Sequence, residues 1–183
     1  MKPSQLSRQL GSSLLEVLVA ILILSFGMLA LSGMLAFSVQ MPKLAAYRAT
    51  ATSLAAGHVE RMRANPQGFA LDDYKEGMTY NSTLPVVTPC TYPFCTPATI
   101  ATLDKNDTNQ AVRKQLPLGG MRVTCNGPCT NRDGDIWIIW QEPSTFASLD
   151  TATSDECPDP TVAPTFPPFT APKPRCLHVR FKL

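Results

Sequence analysis

The hydrophobic pattern separates the first 66 residues into two halves. Between Glu16 and Lys43 lie 26 residues without a charge, and residues 17–24 are entirely aliphatic. Because about 20 apolar residues suffice to cross a bilayer as a helix, we predict a membrane-spanning helix over residues 12–41. A secretory signal peptide has a shorter apolar region, and a buried core helix would need more surrounding protein than this chain offers.

After Pro42 the helical pattern becomes amphipathic. Apolar or inward-facing positions recur at spacings of three and four: Leu44, Tyr47, Ala51, Leu54, Ala55, His58 and Met62. Asn65-Pro66 followed by Gly68 is a stop signal. We therefore predict that residues 42–66 continue the helix with one face against a domain, and that Pro42 bends or loosens it at the junction.

Strand signals appear only in the last third of the chain. Residues 79–117 are rich in Thr, Pro and Asn and indicate a loop, followed by alternating or β-branched runs at 120–125, 135–141 and 176–183. Asn131-Arg-Asp-Gly134 has the chemistry of a hairpin turn. We predict an α+β globular domain over residues 67–183, with three or four antiparallel strands packed on the amphipathic half of the helix.

Charge argues against nucleic-acid binding. The chain has 16 Lys and Arg against 14 Asp and Glu, and its first eleven residues hold Lys2 and Arg8 but no acid. No basic run or patch is evident, so a nucleic-acid partner is not expected. Basic residues ahead of the apolar segment favour a cytoplasmic N-terminus, which leaves the domain on the opposite side of the membrane, the periplasm for a bacterial chain.

Glu16 at the leading edge of the apolar run needs an explanation, because a charge inside a bilayer costs about 3 kcal/mol. It could simply mark the membrane interface. However, Gly11-Ser-Ser-Leu-Leu-Glu16 resembles the type III leader of type IV prepilins, although Ser12 stands where most pilins carry phenylalanine. The resemblance implies that residues 1–11 are a leader cut after Gly11 by prepilin peptidase. It further implies that Ser12 is N-methylated and that Glu16 docks against a neighbour's N-terminal amine.

The end of the predicted helix resembles one particular family of pilins. Residues 51–55 (Ala-Thr-Ser-Leu-Ala) and 61–66 (Arg-Met-Arg-Ala-Asn-Pro) resemble the minor pilins of the type IV pilus modification (PilV) family. This implies a pilin fold and a minor pilin that primes type IV pilus assembly and enters the pilus, with the major pilin and other minor pilins as partners. Twitching motility and adhesion would be its processes. A type II secretion pseudopilin and an adhesive tip subunit are the alternatives.

Six cysteines follow the hydrophobic segment: Cys90, Cys95, Cys125, Cys129, Cys157 and Cys176. An even number in an exported domain predicts disulfides, with 15 possible pairings. Pairing in sequential order is favoured, since the last pair would close the Pro-rich residues 158–174 and resembles the C-terminal disulfide loop of many pilins. A zinc site formed by the first four cysteines is the alternative.

The remaining candidates for chemistry are isolated. His58 and His178 have no neighbouring nucleophile or acid pattern and are predicted to be structural, and Asp104 to Asp107 is interpreted as a solvated helix cap. Because no nucleophile, base and metal constellation is present, no enzymatic activity, metal or cofactor is expected.

Overall fold

The computed structural model describes residues 14–91, 93–142, 157 and 174–183. Helix α1 covers Leu14–Ala64, the short helix α2 covers Pro66–Ala70, and helix α3 covers Pro97–Gln115. The strands are β1 (Gly120–Cys125), β2 (Asp133–Trp140) and β3 (Arg175–Lys182), with a 3-10 turn at Cys129–Asn131. The predicted α+β class is confirmed.

The chain divides into two compact units, the first ending at Pro42 and the second comprising Lys43–Leu183. Pro42 lies inside α1, which continues across it. In the second unit α1 buries the face that the amphipathic pattern predicts, including Ala51, Ala55 and Met62. Asn65 then ends α1, and its side chain accepts a hydrogen bond from the backbone N–H of Gly68 in α2.

The sheet has the order β1-β2-β3 with both pairs antiparallel. Ile136 lies opposite Val123 on one side and Val179 on the other. Alternate residues of β2, Ile136, Ile138 and Trp140, belong to the main core, which they share with Met62 and Phe69 from the helices. On the opposite face, Ile139 and Cys176 form a smaller cluster.

Helix α3 corrects the prediction that residues 79–117 form a loop. Thr96 caps the helix by accepting a hydrogen bond from the backbone N–H of Thr99, and Pro97 occupies the first turn, where a missing N–H costs nothing. The buried residues of α3 are Ala101, Thr108, Asn109 and Val112. Because two of these four are polar, hydrophobic periodicity was too weak to indicate a helix.

The connection between β1 and β2 also differs from the predicted hairpin turn. Asp133 and Gly134 lie within β2, and Gly134 is paired with Cys125. The connection runs from residue 126 to Arg132, whose φ of 57° is left-handed. A Cβ on Gly134 would come within 2.9 Å of the Phe181 ring, so this glycine allows close packing rather than a turn.

Candidate functional site

The first part of α1 presents a continuous apolar surface. Every large hydrophobic side chain from Leu14 to Met41 is exposed, with values from 44% at Met41 to 79% at Leu14. Among the described residues, α1 is the one helix long and apolar enough to cross a membrane. An apolar surface of this extent requires lipid or protein around it.

Glu16 lies in the first turn of α1 and is exposed. Within residues 14–42 it is the only ionisable side chain. A carboxylate in the first turn is stabilised by the N-terminal end of the helix dipole. The predicted cleavage and methylation positions, Gly11 and Ser12, lie outside the described residues.

A partly buried polar cluster holds the end of α1 against α3. Arg61 Nη1 contacts Asp104 Oδ1 at 3.1 Å, and the Tyr74 hydroxyl donates a hydrogen bond to Asp104 Oδ2 at 2.5 Å. Asn65 Nδ2 donates to the Pro97 carbonyl oxygen at 2.8 Å. Burial, followed by the hydrogen bond to Asp104, raises the pKa of Tyr74 well above its usual value. Tyr74 therefore remains a hydroxyl donor at any physiological pH.

Asp104 is a structural acid that the sequence interpretation placed wrongly. It lies in the interior of α3 rather than at a cap, and its side chain is only 15% exposed. The sequence signal that could have found this arrangement is Thr96-Pro97, an N-cap followed by proline, which begins a helix seven residues before Asp104.

His58 joins α1 to α3 from inside the core. It is 1% exposed, and its Nδ1 lies 2.8 Å from the Thr108 hydroxyl oxygen. Its Nε2 has no hydrogen-bond partner in the part of the chain that the structure describes. Burial lowers the pKa of His58 to about 4, against a smaller opposing effect of Asp104. The ring is therefore neutral and structural.

The sulfur atoms are joined in sequential order: Cys90 to Cys95, Cys125 to Cys129, and Cys157 to Cys176. Asp72 lies close to Cys125 and Cys129, and the three could geometrically hold a metal ion. Because both cysteines are in a disulfide, they offer no thiolate ligand. The same pairing leaves no thiolate for the four-cysteine zinc alternative.

On the outer face of the sheet, His178 stacks on Trp137 with ring centroids 4.8 Å apart. Its Nε2 lies 2.8 Å from Asp135 Oδ1. In the β2–β3 register, Trp137 lies directly opposite His178, and Asp135 is diagonal to it. The sequence analysis treated His178 as isolated and did not predict its contacts with Trp137 and Asp135.

Comparison with protein families identifies the N-terminal segment. The family model described as "Prokaryotic N-terminal methylation motif" matches residues 6–32, a range that contains Gly11, Ser12 and Glu16. This N-terminal segment is type IV pilin-like. The comparisons with curated proteins and with solved structures gave no match.

The methylation motif and the fold indicate the same class of protein. A long N-terminal helix, a small antiparallel sheet of three strands and disulfides together form a pilin-type fold. Pilin-type proteins are structural subunits of a type IV pilus or of a related pseudopilus, and their motif implies processing by prepilin peptidase. The apolar first part of α1 fits membrane anchoring before assembly.

Proposed function

We propose that this pilin-type subunit is a minor pilin of the PilV kind. Residues 1–11 are removed by prepilin peptidase after Gly11, and Ser12 becomes the methylated N-terminus. Residues 12–41 hold the subunit in the inner membrane with the domain in the periplasm. It then joins other minor pilins and the major pilin to prime the pilus and becomes part of it.

The observation that carries this proposal is the methylation motif, which overlaps the first part of an exposed apolar helix. The motif covers residues 6–32, and the large apolar side chains of α1 remain exposed as far as Met41. In a bilayer these side chains are solvated by lipid, and in a filament neighbouring helices can take the place of lipid. Glu16 is the single ionisable group in that surface, so pairing it with a neighbour's amine would favour one axial register.

The decisive experiment is N-terminal sequencing of the protein from cells with and without prepilin peptidase. We expect methylated Ser12 as the first residue in the presence of the peptidase and the intact leader in its absence. Recovery of the mature protein at low stoichiometry in sheared pili would support a minor pilin. A protein cut at another position, or still carrying its leader in normal cells, would contradict the proposal.

A type II secretion pseudopilin would carry the same N-terminal motif and would be cut at the same place. The two functions differ in what is lost with the gene. Deletion should reduce surface pili and twitching if the chain is a minor pilin, whereas a secretion defect with normal piliation would identify a pseudopilin. The helix end Arg61-Met-Arg-Ala-Asn-Pro66, which resembles PilV, favours the pilus.

An uncharged segment with two highly exposed apolar side chains favours an adhesive function. Residues 77–103 contain no charged side chain, and within them Val86 is 100% and Phe94 is 82% exposed. The Cys90–Cys95 disulfide closes the short loop that presents Phe94. Charge depletion with exposed aromatic residues is typical of binding surfaces. Phe94→Ser should reduce attachment of purified pili to surfaces if this function is correct, and Leu71→Ser, at a residue that is 64% exposed, is the control.

A further inference from the structure

A groove of about 650 Å³ lies where the end of α1 meets the second half of α3, within the second unit. Helix α3 contributes Asp107, Gln110 and Lys114, which are three and four residues apart and therefore share one face of the helix. Arg113 of α3 and Arg61 of α1 add two guanidinium groups. Of the described residues that line the groove, three are therefore cationic and one is a carboxylate.

The charge of Arg61 is already compensated. Its Nη1 lies 3.1 Å from Asp104 Oδ1 and 3.4 Å from Asp107 Oδ2. The side chain of Asp107 is 58% exposed, and its Oδ1 accepts no hydrogen bond from any residue that the structure describes. Arg61 therefore positions Asp107, which keeps one acceptor oxygen for a ligand.

Arg113 and Lys114 carry charges that no carboxylate compensates within the described part of the chain. Arg113 is partly buried, and its Nε and Nη2 donate to the carbonyl oxygens of Gly119 and Thr79 at 2.7 and 2.8 Å. These two bonds fix the guanidinium plane and leave Nη1, which is solvent-accessible, as a free donor. Lys114 is exposed and forms neither a hydrogen bond nor an ion pair with a described residue.

The dipole of α3 accounts for only part of this charge. Arg113 and Lys114 lie in the last turn of α3, where cations are stabilised by the C-terminal end of the helix. That end is equivalent to about half a negative charge, whereas the two side chains carry two positive charges. An anionic group that contacts both side chains would therefore be stabilised, because a partly desolvated charge without a partner is unfavourable.

We propose that this groove binds an acidic peptide segment of a partner protein. A carboxylate of the peptide accepts charge-assisted hydrogen bonds from Arg113 Nη1 and Lys114 Nζ. The carboxylate of Asp107 accepts from a peptide backbone N–H, and the amide of Gln110 can bond a peptide N–H or carbonyl. Leu84 also lines the groove and provides an apolar contact for an aliphatic side chain of the peptide.

A phosphate group, whether on a lipid or on a nucleic acid, is less suited to the same groove. An ionised phosphate presents acceptor oxygens and no donor. It would leave Asp107 without a hydrogen bond and would be repelled by the carboxylate. A peptide carries N–H donors beside its acidic side chains, so it matches both the cations and the carboxylate of the groove.

The test measures binding of an acidic tetrapeptide to the full-length chain in uncharged maltoside micelles by fluorescence anisotropy. The probe is acetyl-Leu-Asp-Glu-Leu-amide with an uncharged dye, and the matched probe has Asn and Gln in place of Asp and Glu. We expect saturable binding of the acidic probe. The amide probe should bind about tenfold more weakly or less, because the charge-assisted hydrogen bonds are lost.

Two charge reversals locate the site. Lys114→Glu should weaken binding of the acidic probe by about tenfold or more, since a carboxylate at this position repels the peptide carboxylates. Lys182→Glu is the matched control, because it makes the same change in net charge at an exposed lysine of β3 that does not line the groove. It should leave the affinity nearly unchanged. Circular dichroism verifies that both variants are folded.

Four results would overturn the proposal. The first is the absence of saturable binding of the acidic probe to the unaltered chain, and the second is equal affinity for the acidic and the amide probe. The third is equal affinity of the folded Lys114→Glu and Lys182→Glu variants for the acidic probe. The fourth is calorimetric binding of glycerol 3-phosphate without binding of the acidic probe, since the groove would then be a phosphate site.

Discussion

The two parts of α1 have the same secondary structure and opposite environments. Met28 in the first unit is 60% exposed, whereas Met62 in the second is 0% exposed. Backbone hydrogen bonds hold both parts as helix, but only the second has a core to pack against. Helix formation and burial are therefore separate properties of this chain. The second part of α1 is covered by its own domain, whereas the apolar side chains of the first part depend on lipid or other subunits to cover them.

The largest effect is expected from Glu16→Ala, which tests the first part of α1. If Glu16 pairs with the amine of a neighbour, an unpaired buried charge costs about 3–5 kcal/mol, and incorporation into pili should be nearly abolished. Cleavage after Gly11 and membrane insertion should remain normal. Immunoblots of sheared pili and of inner membranes measure both quantities.

Ser25→Ala is a suitable control for Glu16→Ala, because Ser25 lies on the same helix and its hydroxyl donates a hydrogen bond to the Leu22 carbonyl oxygen. Glu16→Gln should fail like Glu16→Ala if the charge is what matters. Recovery of Glu16→Ala in pili at the normal ratio would show that this carboxylate only marks the membrane interface.

A pair of methionine variants tests the comparison directly. Met62→Ala should lower the free energy of unfolding of the domain by about 3 kcal/mol, because it leaves a cavity in a packed core. Met28→Ala should change it by less than about 0.5 kcal/mol, as surface positions usually do. Chemical denaturation of both variants in micelles gives the difference. Equal losses would mean that the two parts of α1 do not differ in packing as described.

His58 should make the stability of the domain depend on pH. Its pKa is about 4 in the folded protein and 6.5 without burial, so between these values the unfolded chain binds more protons. The free energy of unfolding should be fully retained above pH 6.5 and fall by about 3 kcal/mol as the pH decreases to 4. Denaturant unfolding at several pH values measures the slope.

The His58→Gln variant isolates this contribution, because every other titrating group is kept. Its stability should change less than that of the unaltered chain between pH 6.5 and 4. An identical pH dependence in both proteins would show that His58 does not titrate in the expected range.

Disulfide removal should destabilise the second unit more where the closed loop is longer, with a loss that grows as the logarithm of loop length. The Cys157–Cys176 bridge joins residues 19 apart and the Cys90–Cys95 bridge residues 5 apart. Chain entropy predicts losses of about 3 and about 2 kcal/mol for the respective double alanine variants. Thiol titration of the denatured, unreduced protein should find no free thiol. Four reactive thiols with stoichiometric zinc would revive the metal site.

The smallest effect concerns the polar cluster at the end of α1. Tyr74→Phe removes the hydroxyl that donates to Asp104 and should cost about 1–2 kcal/mol. Tyr80→Phe is the matched control, since the Tyr80 hydroxyl donates to Gln141 at a partly exposed position. Loss of the Tyr80 hydroxyl should cost about 0.5–1 kcal/mol, less than for Tyr74, because Gln141 is a neutral acceptor and Asp104 a carboxylate. Equal thermal stabilities of the two variants would argue against a structural role of the cluster.

Local signals in the sequence were sufficient for several elements. The uncharged run after Glu16, the three- and four-residue spacing from Leu44 to Met62 and the strand at residues 120–125 all correspond to elements of the structure. The helical and strand segments show apolar side chains that repeat every 3.6 or every 2 residues. The first part of α1 shows an apolar run long enough to cross a membrane. The N-terminal motif is equally local, because its residues, 6–32, are contiguous in the sequence.

Other features arise only from the tertiary structure, because they depend on polar or small residues that are distant in the sequence and come into contact in the fold. Helix α3 buries Thr108 and Asn109, which look solvated in the sequence and are satisfied or enclosed only by their neighbours in space. Asp104 becomes structural because Arg61 and Tyr74, 43 and 30 residues away, converge on it. Gly134 is a packing glycine because Phe181 lies against it. Hydrogen bonds and close contacts between distant residues leave no periodic trace along the chain, whereas a lipid-facing or core-facing helix does.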